Sequence, residues 1–309
     1  MSLAKRLAGT CLAAAALAAL AAPLTAQARC GAPEGVEITP FKPQNVGRAD
    51  VGQSLDEIVE RGWIEIGVYE DNPPYSFREG GQLRGVDVEL AKIVGEELGV
   101  EARVRALPAG ETVDADLRNW VTTGPVMGGR VVNAMMRVPW HADFACRNEL
   151  AVIGGQYHTE RIGIAWREAA WPDGPPSPAD FAADQIAVEN DSFADFYMSR
   201  FGGGQAVGNV RRFPTTDAAV AALVAGEVDA AMGPLAQLQW GVREVEGVRA
   251  DAPPMPGMAQ GTWTVGVAVR HSWRPLAYAV GDAILAAIED GRLEAIYAAH
   301  GLSWSPPEW

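Results

Sequence analysis

The sequence contains few of the residues that build metal centres and disulfide frameworks. Its 309 residues include three cysteines and four histidines. No two histidines stand at the spacing of metal ligands. The sequence also lacks the Gly-x-Ser-x-Gly elbow, the phosphate-binding loop and the dinucleotide fingerprint. It therefore predicts no metal site, no cofactor and none of these catalytic motifs.

Positive charge is also in short supply. Lys and Arg number 25 against 39 Asp and Glu, which gives a formal charge of −14. This balance opposes binding to nucleic acid or to an anionic membrane surface, because both need basic patches. Beyond residue 28 no run approaches the roughly 18 apolar residues of a spanning helix. The sequence therefore predicts no nucleic-acid partner and no membrane-spanning segment.

The first 28 residues have the pattern of a cleaved secretory signal peptide. Lys5 and Arg6 precede a run of Ala and Leu that ends in Ala-Gln-Ala at 26–28. Cleavage would take the formal charge from −14 to −16, because both basic residues are lost. The pattern predicts an exported protein in a bacterial periplasm.

Two cysteines remain after the predicted signal, Cys30 and Cys146. In an oxidising compartment we expect a disulfide between them that ties the N-terminal tail to the fold. The alternative is two unpaired buried thiols.

The first ordered unit is predicted after a polar tail at 29–53. Residues 54–62 favour a short helix, with Ser54 as N-cap and Gly62 as its stop, and WIEIGVY at 63–69 favours a buried strand. A helix at 87–99 with Asp87 as its cap and a strand at 100–107 follow. This order predicts a βαβ unit with two parallel strands.

The loop EDNPPYSF at 70–77 leaves the carboxyl end of the first strand, where α/β sheets bind ligands. Two prolines stiffen it, Tyr69, Tyr75 and Phe77 supply aromatic faces, and Glu70 or Asp71 supplies acceptors. The alternative is an ordinary turn with Tyr75 and Phe77 tucked into the core.

Segments along the chain resemble the bacterial extracellular solute-binding proteins of family 3, the amino-acid ABC-transporter class. They are SLDEIVERGWIEIGVYEDNPPYSF, GVDVELAKIVGEELGV, DQIAVENDSFADFYMSRFG, PTTDAAVAALVAGEVDAAMG, GTWTVGVAVR and AVGDAILAAIEDGRLEAIYAAHGLSW. The resemblance implies an α/β fold of the two-lobed periplasmic binding protein type (type II), with doubly wound sheets joined by two hinge crossings. Lobe 1 would comprise 54–158 plus 262–309, and lobe 2 would comprise 159–261.

Two helix starts in lobe 2 would face the cleft. Asp191 or Ser192 is expected to cap the helix FADFYMSRF, and Gly233-Pro234 would begin another helix with proline at its first position. Free N–H groups there could receive a ligand oxygen, although plain capping is an equal alternative.

The sequence departs from the family where an α-amino acid would be clamped. The family's Thr-x-x-Arg segment lacks its threonine here, and Arg147 falls at an uncertain offset. The acid expected after the VDAA strand is replaced by Met232-Gly233-Pro234. Both losses remove charge-assisted bonds, so an ordinary amino acid is a doubtful ligand.

Residues 112–143 resemble a narrower group, the J-type accessory proteins encoded with PQQ-dependent methanol or alcohol dehydrogenases. This resemblance implies that Arg137, Pro139, Trp140 and His141 lie on a lobe 1 loop facing the cleft. The alternative is that Trp140 packs under the loop and Arg137 is solvated.

The sequence thus predicts a periplasmic protein, not an enzyme, that clamps a small molecule between two lobes. The predicted ligand-binding residues are Tyr69, Asp71, Tyr75, Phe77, Arg137, Trp140, His141, Asp191 and Ser192. An ABC-transporter permease or a periplasmic quinoprotein dehydrogenase would be the partner. The alternatives are an accessory protein that acts through protein contact, and a dehydratase-like enzyme that uses Glu70 with Asp71 or His141 as acid and base.

Overall fold

A computed structural model of the chain describes residues 53–308. The predicted signal peptide, nearly all of the predicted tail and Cys30 lie outside the described residues. Cys146 is half-buried on a short helix. The signal peptide and the disulfide therefore stay predictions.

Within residues 53–308 the chain forms eleven strands and nine α-helices. The strands are β1 (Trp63–Tyr69), β2 (Phe77–Glu79), β3 (Gln82–Arg84), β4 (Glu101–Leu107), β5 (Ala134–Trp140), β6 (Ala151–Arg167), β7 (Ile186–Glu189), β8 (Val210–Phe213), β9 (Ala230–Pro234), β10 (Val248–Asp251) and β11 (Thr262–Arg270). The helices are α1 (Leu55–Arg61), α2 (Val86–Glu97), α3 (Val113–Asp116), α4 (Ala142–Arg147), α5 (Phe193–Arg200), α6 (Thr216–Ala225), α7 (Leu235–Val242), α8 (Arg274–Glu289) and α9 (Arg292–Ala299). A π-helical turn at Leu117–Thr122 follows α3 directly.

Nine of these strands form one mixed sheet in the order β4-β1-β5-β11-β6-β9-β7-β8, with β10 paired to β6. The long strand β6 joins two halves of this sheet. Its residues 151–161 pair with β11, and from residue 162 onward it pairs with β9. The segment 252–261, between β10 and β11, makes the second connection. The first half thus contains β4, β1, β5 and β11, and the second half contains β9, β7, β8 and β10.

The predicted βαβ unit is confirmed. Strands β1 and β4 are parallel, with Trp63 opposite Glu101 and Tyr69 opposite Leu107. Helix α1 begins at the predicted N-cap Ser54, which forms a capping box in which the backbone N–H of Glu57 donates to the Ser54 hydroxyl at 3.3 Å. It ends at Gly62, whose φ of +78° suits glycine.

Two predicted helix starts are wrong. Gly85, with no side-chain hydrogen bond, is the N-cap of α2, while Asp87 lies inside the helix and is 1% exposed. Its carboxylate accepts hydrogen bonds in the core instead of capping the helix. Pro234 is the last residue of β9 and the N-cap of α7, so it stands one position earlier than predicted.

Each half of the sheet packs on its own apolar core. In the first half, Ile64, Ile66 and Val68 of β1 are fully buried in one cluster with residues of α2 and α8. In the second half, β7 contributes Ile186 and Val188 to a separate cluster. Each such side chain stabilises the fold by about 1.5–3 kcal/mol.

No helix among residues 53–308 combines the length and apolarity needed to cross a bilayer.

Candidate functional site

An open cavity lies at the carboxyl ends of β1 and β4. Its volume is about 420 Å³, and it is lined by residues 69–72, residues 109–113 and Asp116. The two strands are adjacent and parallel, so the loops that leave them meet at one edge of the sheet. The predicted ligand residues Tyr69 and Asp71 are part of this wall.

Asp116 holds the two walls of the cavity together. The Tyr69 hydroxyl donates to one of its carboxylate oxygens at 2.8 Å, and the Gly110 N–H donates to the other at 2.7 Å. Asp116 is 2% exposed. Burial, together with the neighbouring Asp116 charge, raises the pKa of Tyr69 well above its ordinary value. Tyr69 therefore stays a neutral donor that fixes the loop after β4.

The cavity is acidic. Exposed carboxylates of Glu70, Asp71 and Glu111 line it, and no basic residue does. The carboxylate of Asp217, near the start of α6, is close enough to interact electrostatically with that of Asp71. Its pKa is raised by partial burial and then by the charges of Asp71 and Glu189. Carboxylates from both halves of the sheet thus repel one another here, and a cation would relieve that repulsion.

Two more predicted residues, Arg137 and Tyr75, meet in a buried polar cluster. The Arg137 guanidinium donates to Asp87 at 2.8 and 3.2 Å and lies 3.1 Å from the centre of the Tyr75 ring. Tyr157 donates its hydroxyl to Asp87 at 2.9 Å. Burial alone would lower the pKa of Arg137, but the Asp87 charge holds it well above its ordinary value. Arg137 and Tyr75 are 8% and 3% exposed.

The cluster continues to strand β6. The Tyr75 hydroxyl donates to Glu160, which also accepts the Arg161 N–H at 3.1 Å. The nearby His158 is 2% exposed, and burial with the positive charge of Arg137 lowers its pKa to about 3. His158 is therefore neutral at pH 7. The loop at 70–77, which we call the ligand loop, is thus hydrogen-bonded through Tyr75 to β6, the strand shared by both halves of the sheet.

A β-bulge explains the position of Arg137. Between Met135 and Val138, β5 carries one more residue than the facing stretch of β11, and Arg137 has a φ of +59°. A left-handed residue inside a strand turns its side chain out of the normal alternation. The prediction that residues 137, 139 and 140 lie on a loop is therefore wrong, because all three belong to β5.

The remaining first-half residues of the prediction are Phe77, Trp140 and His141, and none of them lines the acidic cavity. Phe77 packs against Trp240 of α7, with ring centres 5.1 Å apart. Trp140 is half-buried against the cluster that contains Leu107 and Val138. His141 is the N-cap of α4 and is exposed, and its ring nitrogen accepts the Asp143 N–H at 3.3 Å.

In the second half, Ser192 caps α5 as one of the two predicted candidates. Its hydroxyl accepts the N–H of Asp195 at 3.2 Å. The exposed Asp191 has a φ of +58°. The next residue, Phe193, is 52% exposed and lies 6.3 Å, centre to centre, from the Trp263 ring of β11. Whether these residues and the cavity bind one molecule stays a prediction.

Sequence reasoning missed the loop after β4, including Gly110 and Glu111. The signal was available, because adjacent parallel strands bring their carboxyl-end loops together. No local pattern indicated that Asp217 lies within reach of the Asp71 charge. Among residues 53–308, no group of three or more His, Cys, Asp and Glu side chains is arranged to hold a metal ion.

Comparisons with known proteins agree with this architecture. The family model that describes the sequences of the bacterial extracellular solute-binding proteins, family 3, matches residues 64–119. This range includes α2 and the ligand loop. No curated protein sequence matches the chain.

Solved structures match over most of the chain. An ancestral cationic amino acid solute-binding protein is 22% identical with a TM-score of 0.64, covering 80% of this chain and 99% of its own. An amino acid ABC transporter substrate-binding protein from Streptococcus pneumoniae, bound to L-arginine, is 18% identical with a TM-score of 0.55, covering 79% and 97%. An ancestral amino acid-binding protein described as a precursor of cyclohexadienyl dehydratase is 22% identical with a TM-score of 0.55, covering 80% and 98%.

Identities this low show the fold alone. The chain has the mixed α/β fold of the two-lobed periplasmic binding proteins of type II, and its predicted resemblance to the family 3 solute-binding proteins is confirmed.

Proposed function

We propose that this protein is a periplasmic solute-binding protein whose ligand is a positively charged small molecule rather than an ordinary α-amino acid. The ligand would lie between lobe 1 (54–158 and 262–309) and lobe 2 (159–261), and an ABC-transporter permease would receive it. The acidic cavity at the carboxyl ends of β1 and β4 is the observation that carries this proposal.

The charges around the cavity favour a cation. Asp71 from one half of the sheet and Asp217 with Glu189 from the other lie close enough to raise the pKa of Asp217, after the effect of burial. A bound ammonium or guanidinium would convert this repulsion into charge-assisted hydrogen bonds, each worth about 1.5–3 kcal/mol. Two structural relatives are described as a cationic amino acid binder and an L-arginine complex.

The arginines near the segment where the family binds the ligand carboxylate do not favour a ligand that carries a carboxylate. Arg137 is buried and its guanidinium is committed to Asp87. Arg147 lies on the exposed face of α4 with its guanidinium 3.7 Å from Asp114. At the predicted position of the ammonium-binding acid, Met232 is fully buried. The site therefore supports a ligand that has a cation and no carboxylate.

Calorimetry with three related solutes tests the charge of the ligand. Agmatine is arginine without its carboxylate, and citrulline is arginine with a neutral ureido group in place of its guanidinium. We expect agmatine to bind more tightly than L-arginine, and citrulline not to bind. Asp71→Asn should weaken agmatine binding by about 10- to 100-fold, whereas Asp282→Asn on α8 should not change it. Micromolar binding of any of the twenty amino acids would show that the clamp has been misjudged.

The same titration separates binding from catalysis. A solute-binding protein returns its ligand unchanged at one equivalent, whereas a dehydratase-like enzyme would consume it. The exposed His141 accepts a hydrogen bond from the Asp143 N–H at the start of its own helix. Among residues 53–308, no hydrogen bond joins it to Glu70 or Asp71. We therefore expect no turnover.

An accessory role through protein contact, beside a PQQ-dependent methanol or alcohol dehydrogenase, is the second candidate. An exposed basic surface on the first half of the sheet favours it. If no solute shifts the melting temperature while a purified dehydrogenase of this type binds, this candidate replaces the first.

A further inference from the structure

At the outer edge of the first half-sheet, one face carries arginine and tryptophan side chains beside the π-helical turn Leu117–Thr122. Along the edge strand β4, Ala102 and Val104 point to the apolar core shared with α2. The alternate residues Arg103 and Arg105 therefore point to the opposite face. There they meet Trp63 and Glu65 of the neighbouring strand β1. We call this surface the arginine face; it comprises Arg61, Trp63, Glu65, Glu101, Arg103, Arg105, Trp120 and Arg130.

The aromatic rings of the arginine face are held by cations. The Trp63 ring has the Arg61 guanidinium 3.6 Å and the Arg103 guanidinium 4.4 Å from its centre. The Trp120 ring has Arg105 at 5.8 Å. Such pairs keep indole rings ordered at the surface.

The arginine face is positively charged on a protein that is otherwise acidic. Its four guanidiniums face two carboxylates, against a formal charge of −14 for the whole chain. Glu65 is shared by Arg105 and Arg130, and Glu101 is paired with Arg103. The side chain of Arg130 is 61% exposed and that of Arg103 is 49% exposed. Both retain accessible N–H donors after these pairings.

An apolar turn rises beside the arginine face. Val126 and Met127 are 80% and 96% exposed at its tip, and the Gly128 N–H closes the turn on the Pro125 carbonyl at 3.1 Å. Its base is anchored on the arginine face, where Arg105 donates to the Arg130 carbonyl at 2.7 Å. The two apolar side chains are thus presented on a fixed base.

We propose that the arginine face and the Val126–Met127 turn form one docking surface for a protein partner that presents an apolar pocket rimmed by carboxylates. Tryptophan, arginine and methionine are the side chains that protein interfaces concentrate. The guanidiniums would meet the acidic rim and steer the encounter, and Met127 would enter the pocket. An extended polyanion such as nucleic acid or an anionic membrane is disfavoured, because the remaining surface is acidic and would repel it.

The test begins with site-specific photo-crosslinking in the cells that make the full chain. The photoreactive residue benzoylphenylalanine replaces Val126 and, as a control, the 63% exposed Tyr278 of α8. We expect position 126 alone to link to one protein, at a peptide rich in Asp and Glu. Crosslinks to lipid or nucleic acid, or the same products from both positions, would overturn the proposal.

The purified partner then allows the energetics to be measured. Met127→Asp places a charge on the turn without removing any packed group, and we expect it to weaken binding by about tenfold or more. Arg130→Gln should weaken binding and reduce its salt dependence. The matched controls are Tyr278→Asp and Arg249→Gln, since Arg249 is 68% exposed and also pairs with a glutamate. Equal affinities for Met127→Asp and its control would contradict the docking surface whatever solute the cavity binds.

Discussion

The buried pair of Arg137 and Asp87 predicts a large loss of stability when one partner is removed. Arg137→Ala would leave the Asp87 carboxylate, which is 1% exposed, with the Tyr157 hydroxyl as its one remaining side-chain donor among residues 53–308. Breaking a buried ion pair in this way costs about 3–5 kcal/mol. For a protein of this size that corresponds to a fall of roughly 6–20 °C in melting temperature.

A matched surface pair provides the control. Arg147 and Asp114 are 60% and 47% exposed and their charged atoms are 3.7 Å apart. Solvent screens such a pair, so Arg147→Ala should cost less than about 1 kcal/mol. Urea unfolding followed by tryptophan fluorescence measures both variants on one scale.

The double variant Asp87→Asn/Arg137→Ala, with Asp87→Asn as the second single variant, completes a double-mutant cycle. It removes both charges, so we expect it to recover part of the stability that Arg137→Ala loses. A loss below about 1 kcal/mol for Arg137→Ala, or a double variant less stable than either single one, would refute the buried pair as described. Ligand binding measured per folded molecule should be little changed in Arg137→Ala, because Arg137 is only 8% exposed.

Three further predictions concern pH, the cleft and the disulfide. His158 has a folded pKa of about 3 against an ordinary 6.5, so the unfolded chain binds its proton first and stability is lost as pH falls from about 6.5 towards 3. His158→Gln should remove up to about 1.4 kcal/mol per pH unit from that slope in urea titrations, and an unchanged slope would contradict the burial of the ring. Trp140→Ala should weaken ligand binding by about tenfold and cost less than the 3–5 kcal/mol of a fully buried tryptophan; a stability loss with unaltered binding removes Trp140 from the site. The unfolded, oxidised mature protein should show no titratable thiol if Cys30 and Cys146 are bonded, and two thiols would refute the pairing.

Elements with local signals were predictable from the sequence. Ser54 with Glu57 marks the start of α1, Gly62 marks its end, and the β-branched run that follows is β1. These signals act between residues that are near in sequence, so a single sequence contains them. The convergence of strand-end loops is equally general, and it placed Tyr69 and Asp71 at the cavity.

Long-range contacts were not predictable in the same way. Asp87 has the type and position of a helix cap, but its partners Arg137 and Tyr157 lie 50 and 70 residues away in sequence. Arg137 itself was expected on a loop, because the narrower resemblance over residues 112–143 implied one there. The structure places it in β5 at a bulge, paired with the buried Asp87 carboxylate, and neither the bulge nor that pairing leaves a trace in the local pattern.

Strand β6 runs for 17 residues from one half of the sheet into the other without interruption. The second connection, 252–261, contains three prolines and no strand. If the two halves rotate relative to each other, the hydrogen-bonded strand β6 must therefore twist. The irregular segment 252–261 would move with that rotation. We expect the axis of such a rotation to lie along β6, and its central amides, near residue 161, to exchange with solvent more slowly than those of 252–261.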